Sequence, residues 1–214
     1  MVTVFCGDPP LGLALGDWDR HTGAEDPTRA ARQRRTEDES ALAGWATPVH
    51  LDFVDGQYRS DDVDASGIAR VIGETRDSVG ANVIYAPCAI GGHPDHALVR
   101  DAAVELSQSG ASVRFYADLP YAARSGWPAW VTGGTADEYV RPEISWTPHS
   151  EILASRGLVP SVISLSEDEK SEKVTALRRY ATQFEVLNKG PLHRLEQDWF
   201  LAVEVVWARV SGAC

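Results

Sequence analysis

Cysteines are few in this 214-residue sequence, and their number is odd. Only Cys6, Cys88 and Cys214 occur. Because no signal-peptide pattern precedes them, a disulfide framework is not expected, and the cytoplasm is the predicted compartment. Cys88 lies shortly before a histidine motif and could be a nucleophile or a ligand. A cysteine at a strand end is more often a small buried apolar residue.

Long apolar runs are also lacking, since none approaches the ~20 residues needed to span a bilayer. Basic residues are outnumbered, with 20 Lys and Arg against 31 Asp and Glu and a net charge of -11. Nucleic acids and anionic membranes are bound through clustered Lys and Arg, so a small uncharged or weakly charged molecule is the better partner. The 43% hydrophobic content is typical of one globular domain, here residues 1–214, and oligomerisation stays open.

Residues 29–35 form one basic cluster in this acidic chain. Glu37, Asp38 and Glu39 follow it at helical spacing. This pattern favours a salt-bridged helix face over a nucleic-acid patch.

Short β-branched runs alternate with longer helical segments in the first half of the chain. Strands are predicted at residues 2–5, 49–53, 82–86 and 112–116, and helices at residues 28–45, 65–78 and 95–109. This alternation indicates βαβ units. The predicted fold class is therefore α/β, a three-layer α/β/α sandwich with a Rossmann-like, mostly parallel sheet.

The second half is less regular. Residues 119–134 read as a long loop in which Trp127 and Trp130 form either a platform for a sugar ring or anchors on the core. Further strands are predicted at residues 139–146 and 159–165. The capping box from Ser166 to Glu169 predicts a helix over residues 167–187, and a last helix is predicted over residues 192–210.

The motif His93-Pro94-Asp95-His96 carries the strongest chemical signal. It follows a predicted strand and the flexible pair Gly91-Gly92, so it lies where ligands bind in open α/β sheets. Pro94 suits the first turn of a helix. Imidazole is a common zinc ligand, but a catalytic zinc usually has three protein ligands, and this segment offers two at most. The residues alone leave open a metal site or a capped helix start with partly exposed histidines.

The segment Ala89-Ile90-Gly91-Gly92-His93-Pro94-Asp95-His96-Ala97 resembles the second signature of the PIG-L/LmbE-like family of zinc-dependent N-deacetylases. Residues 34–41 are similar to the Arg-x-x-Glu helix of that family. Further similar segments occur in the family's order at residues 2–7, 51–58, 116–121 and 173–183.

This resemblance implies roles for several residues. His96 would bind zinc, and His93 would stabilise an oxyanion or protonate the leaving amine. Asp95 would hold and tune a histidine of the site. Arg34 would reach the substrate or form an ion pair with Glu37 or Asp38. The implied activity is removal of an N-acyl group, most simply acetyl, from an amino sugar or sugar conjugate.

The family's first signature, His-Pro-Asp-Asp, has no counterpart here. It would supply the other zinc ligands and the general base from a first, central strand, and this sequence starts at the second strand. We therefore expect a reading frame that begins upstream, or a shortened chain. Three functions follow: a zinc N-deacetylase, an inactive or incomplete domain that binds a sugar or a partner, and a fragment completed by another chain.

Overall fold

The structure is a computed structural model that describes residues 1–60, 62–134, 142–189 and 193–209. Two compact units are present. The first combines Met1–Asp62 with Glu167–Glu196, and the second combines Val63–Ser166 with Gln197–Cys214. Within the described ranges, no helix is long and apolar enough to cross a membrane.

Strands and helices alternate along most of the chain. The strands are β1 (Val2–Thr3), β2 (Val49–His50), β3 (Ile84–Pro87), β4 (Val113–Tyr116), β5 (Leu158–Ser164) and β6 (Val203–Arg209). The helices are α1 (Asp17–His21), α2 (Pro27–Leu42), α3 (Ala65–Val79), α4 (Pro94–Gln108), α5 (Tyr121–Ser125), α6 (Ala129–Thr132), α7 (Pro142–Ala154), α8 (Glu167–Arg179), α9 (Ala181–Leu187) and α10 (Asp198–Leu201). A short 3₁₀ helix covers Arg194–Glu196.

The first unit contains a two-stranded parallel sheet, β1 with β2, and the long helix α2. The Asp26 side chain caps α2 by accepting a hydrogen bond from the Arg29 backbone N–H at 2.8 Å. Pro27 follows at the first helical position, where its missing N–H costs nothing. Helix α8 packs against α2, so the chain returns to this unit late in the sequence.

Two buried carboxylates on α2, Glu37 and Asp38, join these elements and are not part of the predicted salt-bridged helix face. The basic residues of that face do form ion pairs, Arg29 with Glu25 and both Arg32 and Arg35 with Asp8. Glu37 is 4% exposed, and its carboxylate accepts hydrogen bonds from the backbone N–H and the hydroxyl of Thr182 at 2.9 and 2.8 Å. Asp38 is 5% exposed, and its carboxylate accepts hydrogen bonds from side chains on other elements of the unit. The acids therefore face inward, because they satisfy polar donors there.

Asp38 accepts three hydrogen bonds. The donors are the Thr3 hydroxyl at 2.8 Å, His50 Nε2 at 2.9 Å and the Tyr180 hydroxyl at 2.7 Å. Burial, and then the hydrogen bond to this carboxylate, raise the pKa of Tyr180. One side chain on α2 thus links β1, β2 and the residue between α8 and α9.

The second unit contains a four-stranded sheet in the order β3-β4-β6-β5. Strands β3 and β4 are parallel, as predicted, and β6 runs antiparallel to both of its neighbours. Helices α3 and α4 pack against each other, and α4 also packs on β3 and β4. Helix α3 is bounded by an Asp64 cap on the Gly67 N–H and by Gly80 in the left-handed conformation.

The predictions for the second half of the chain need three corrections. Residues 142–146 belong to helix α7 instead of a strand, while residues 139–141 of that prediction lie outside the described residues. Within residues 193–209, the predicted last helix is instead the 3₁₀ helix, α10 and the interior strand β6, and residues 192 and 210 of that prediction lie outside the described residues. The apolar run of β6 is buried inside the sheet, and periodicity alone cannot distinguish such a strand from a buried helix. The helix predicted over residues 167–187 divides at Tyr180 into α8 and α9.

Aromatic side chains anchor the predicted loop at residues 119–134, which contains the short helices α5 and α6. Trp127 is 1% exposed, stacks on Phe200 with ring centroids 4.9 Å apart and donates its indole N–H to the Phe200 carbonyl. Trp130 is 49% exposed and contacts buried Trp146 and Trp207 edge to face. Trp127 is therefore an anchor, and Trp130 presents part of its ring to solvent.

Candidate active site

The loop after β3 brings the histidine motif to the carboxyl end of the sheet. Cys88, Ala89 and Ile90 are fully buried, which confirms the packing role predicted for Cys88, and burial raises the pKa of its thiol. Ala89 has φ +65° and Gly91 has φ +84°, both in the left-handed region. A buried alanine in that region is rare, so the surrounding packing holds this loop in a strained conformation.

His93 is the N-cap residue of α4. Its Nδ1 accepts a hydrogen bond from the Asp95 backbone N–H at 3.3 Å, and Pro94 occupies the first helical position. The capped helix start predicted from the sequence is therefore present. Because Nδ1 accepts, the proton of the neutral ring lies on Nε2.

His96 lies in the first turn of α4, and its ring centroid is 5.1 Å from that of His93. Its Nδ1 is 3.2 Å from Oδ1 of Asp118. The side chain of His96 is 33% exposed, whereas that of Asp118 is 1% exposed. A buried carboxylate thus faces one nitrogen of a histidine whose ring reaches solvent.

Asp118 is the residue that the sequence analysis missed. It follows β4, and β3 and β4 are parallel neighbours, so their carboxyl ends meet at one edge of the sheet. Its second oxygen accepts a hydrogen bond from the Ile90 backbone N–H at 2.7 Å. An acid directly after the strand next to a histidine-bearing loop was the available signal.

Tyr121, the first residue of α5, packs against both histidines. Its ring centroid is 5.4 Å from that of His93 and 5.0 Å from that of His96, the latter in an edge-to-face arrangement. A Cβ added to Gly91 would come within 3.0 Å of the Tyr121 Cβ. The absence of a side chain at position 91 therefore makes room for this ring.

The other two predicted site residues occupy different environments. Asp95 is 4% exposed in the first turn of α4, beside the two histidines in sequence. Arg34 belongs to the first unit, where its guanidinium lies 2.5 Å from Oδ1 of fully buried Asp19 and 4.0 Å from Asp55. Arg34 therefore pairs with Asp19 instead of the predicted Glu37 or Asp38.

Asp19 is the centre of a polar cluster in the first unit. Its Oδ2 accepts a hydrogen bond from the Tyr58 hydroxyl at 2.7 Å, and that hydroxyl accepts one from the Gly16 backbone N–H. Burial raises the pKa of Tyr58. The cluster satisfies a buried charge, so its arrangement accounts for the Arg34 ion pair without a ligand.

The described side chains fit only part of a site for the zinc ion that the resemblance implies. His96 is suited to be one zinc ligand, because Asp118 contacts its Nδ1 and leaves Nε2 to bind a metal. Carboxylate–histidine–zinc groups commonly have this arrangement. Among the residues that the structure describes, no group of three or more His, Cys, Asp or Glu side chains could hold a metal ion. These residues alone do not fit a complete zinc site.

Comparisons with known proteins identify proteins that are similar to this chain in sequence and fold. The chain is 34% identical over 113 residues to the 2'-N-acetylparomamine deacetylase of Streptomyces fradiae. That match covers 45% of this chain and 40% of the relative. The crystal structure of the pseudoaglycone deacetylase Dbv21 matches with a TM-score of 0.71 and 26% identity, covering 100% of this chain and 85% of that one. This chain is similar to deacetylases.

The likeness of fold extends to the zinc-inhibited form of teicoplanin deacetylase Orf2. It has a TM-score of 0.70 at 23% identity and covers 99% of this chain and 88% of that one. The predicted α/β class is thus confirmed, as is the predicted kinship with deacetylases. No protein-family model matches the chain, and the PIG-L/LmbE assignment stays a prediction. The chain spans less than half the length of the curated relative.

Proposed function

We propose that this protein is a hydrolase that removes an N-acyl group, most simply acetyl, from an amino sugar or sugar conjugate. The observation that carries the proposal is the pair His93 and His96 at the carboxyl end of β3, backed by Asp118. Its support is the whole-chain likeness to a deacetylase at 26% identity. The similar proteins include a 2'-N-acetylparomamine deacetylase and a teicoplanin deacetylase.

The two histidines are suited to different tasks. In the geometry described above, His93 presents an N–H at Nε2, which can donate to the oxyanion formed when water adds to an amide carbonyl. His96 presents a lone pair at Nε2. We propose that His93 stabilises the oxyanion or protonates the departing amine, and that His96 is a metal ligand.

Asp95 and Arg34 have supporting roles in this proposal. Asp95, buried at the start of α4, holds and tunes a histidine of the site. The substrate contact predicted for Arg34 stays a prediction, and 19% of its side chain is exposed in the first unit. Zinc would polarise the amide carbonyl when bound, and it needs ligands in addition to those of the described residues.

A second candidate is an inactive or incomplete deacetylase-like domain that binds a sugar or a partner without hydrolysis. The observation in its favour is the donor set, because the described part of the chain holds no group of three potential metal ligands. The two candidates differ in turnover, so one assay separates them.

The test measures zinc content and acetate release on the purified chain. Substrates are N-acetylglucosamine and 2'-N-acetylparomamine. The variants are His93→Ala and His96→Ala, and the control is His21→Ala, an exposed residue of the first unit. We expect acetate release that both site variants reduce at least about 100-fold. Absence of turnover with every substrate, with or without added zinc, would favour the binding domain.

A further inference from the structure

Both oxygens of Asp118 are occupied by donors. The Ile90 backbone N–H donates to Oδ2 at 2.7 Å, and His96 Nδ1 lies 3.2 Å from Oδ1. The side chain is 1% exposed, and the residue lies two positions after the end of β4. One carboxylate therefore connects the loop after β3 with the first turns of α4.

This arrangement determines which nitrogen of His96 carries the proton. An ionised carboxylate only accepts hydrogen bonds, so Nδ1 must be the donor, and Nε2 of the neutral ring keeps its lone pair. His93 has the opposite form, since its Nδ1 accepts from the Asp95 N–H. Two histidines three positions apart thus present different groups at Nε2.

We propose that Asp118 is a positioning residue that holds His96 in the Nδ1–H tautomer and fixes the Ile90 loop against it. Carboxylates that orient a functional imidazole in this way also fix its tautomer. The effect of Asp118 on the rate of hydrolysis rests on the proposed function, whereas its effect on the tautomer of His96 does not.

The Asp118→Asn variant separates this role from packing. Asn has nearly the same shape, but its amide offers one oxygen and one NH₂ group. If the oxygen stays with the Ile90 N–H, the shorter of the two contacts, the NH₂ group faces His96 Nδ1. Nδ1 must then accept, and the proton moves to Nε2.

Nitrogen NMR of the imidazole rings measures this directly on the full chain as purified, in mildly alkaline buffer. We expect Nδ1–H for His96 in the unchanged protein and Nε2–H in Asp118→Asn. His50 is the internal reference, because its Nε2 lies 2.9 Å from Asp38 and should carry the proton in both proteins. Asp118→Ala should leave His96 without a fixed tautomer.

Two results would overturn the proposal. One is Nε2–H on His96 in the unchanged protein, which decides the question even if the variants do not fold. The other is Nδ1–H retained in both Asp118 variants while circular dichroism shows that they are folded. Nδ1–H in the unchanged protein together with the predicted shift in Asp118→Asn supports it.

Acetate release is measured in parallel. We expect Asp118→Asn to lower kcat by about 10²–10⁴-fold with KM nearly unchanged, the pattern produced by a wrong tautomer in the Ser-His-Asp triad. A merely structural loss would instead lower the amount of active protein and spare kcat per folded molecule. If the unchanged protein releases no acetate, the proposed function fails, while the NMR result still decides the role of Asp118.

Discussion

Replacement of Asp38 by alanine should destabilise the first unit strongly. This carboxylate is 5% exposed and accepts hydrogen bonds from Thr3, His50 and Tyr180. Alanine removes the acceptor from all three donors at once. It also removes the link that joins α2 to two strands and to the residue between α8 and α9.

The magnitude follows from the number of donors left without their acceptor. A hydrogen bond contributes about 1–1.5 kcal/mol net, so three contribute about 3–4.5 kcal/mol. Removing one partner of a buried charged cluster costs about 3–5 kcal/mol, which agrees. For a chain of this size the expected fall in Tm is roughly 10 °C.

Thermal and urea unfolding, followed by circular dichroism, measure the effect. Glu39→Ala is the matched control, because Glu39 is the next residue on the same helix and is exposed. It should change the free energy of unfolding by no more than about 0.5 kcal/mol. An Asp38→Ala protein as stable as the Glu39→Ala protein would refute the assignment of these hydrogen bonds.

Three further predictions concern Tyr180, Cys88 and the pair Gly91 and Gly92. The pKa of Tyr180 is raised above 10.0 in the folded state, so its contribution to stability is present below pH 10 and is lost as the pH rises further. Urea unfolding at increasing pH should show this loss as a fall in the free energy of unfolding. Tyr180→Phe should lessen the slope of that free energy against pH, and equal slopes in the two proteins would contradict the prediction. Cys88 is fully buried with a raised thiol pKa, so iodoacetamide should modify it only after denaturation, as mass spectrometry can check. Gly91→Ala should lower the free energy of unfolding by about 1–2 kcal/mol because of its left-handed backbone, and by more because the new Cβ meets Tyr121. Gly92→Ala, with φ +73° and open space around it, should show the backbone cost alone. Equal unfolding energies for these two variants would argue against the clash.

Local patterns were sufficient for the first half of the fold. The four predicted strands and three predicted helices there correspond to β1–β4 and α2–α4, with boundaries that differ by a few residues. Caps and periodicity are properties of neighbouring residues, so the sequence displays them directly. The predictions at residues 142–146 and 203–209 failed because a buried apolar segment takes its form from what packs around it.

The sequence by itself determined the α/β class and the position of the histidine motif between a strand and a helix. Only the tertiary structure decided which side chains meet there. Asp118 lies 22 positions after His96, and the two approach because β3 and β4 are parallel neighbours. Likewise, Arg34 pairs with Asp19 instead of its helical neighbours. Contacts between distant residues depend on strand pairing and burial, which no local spacing encodes.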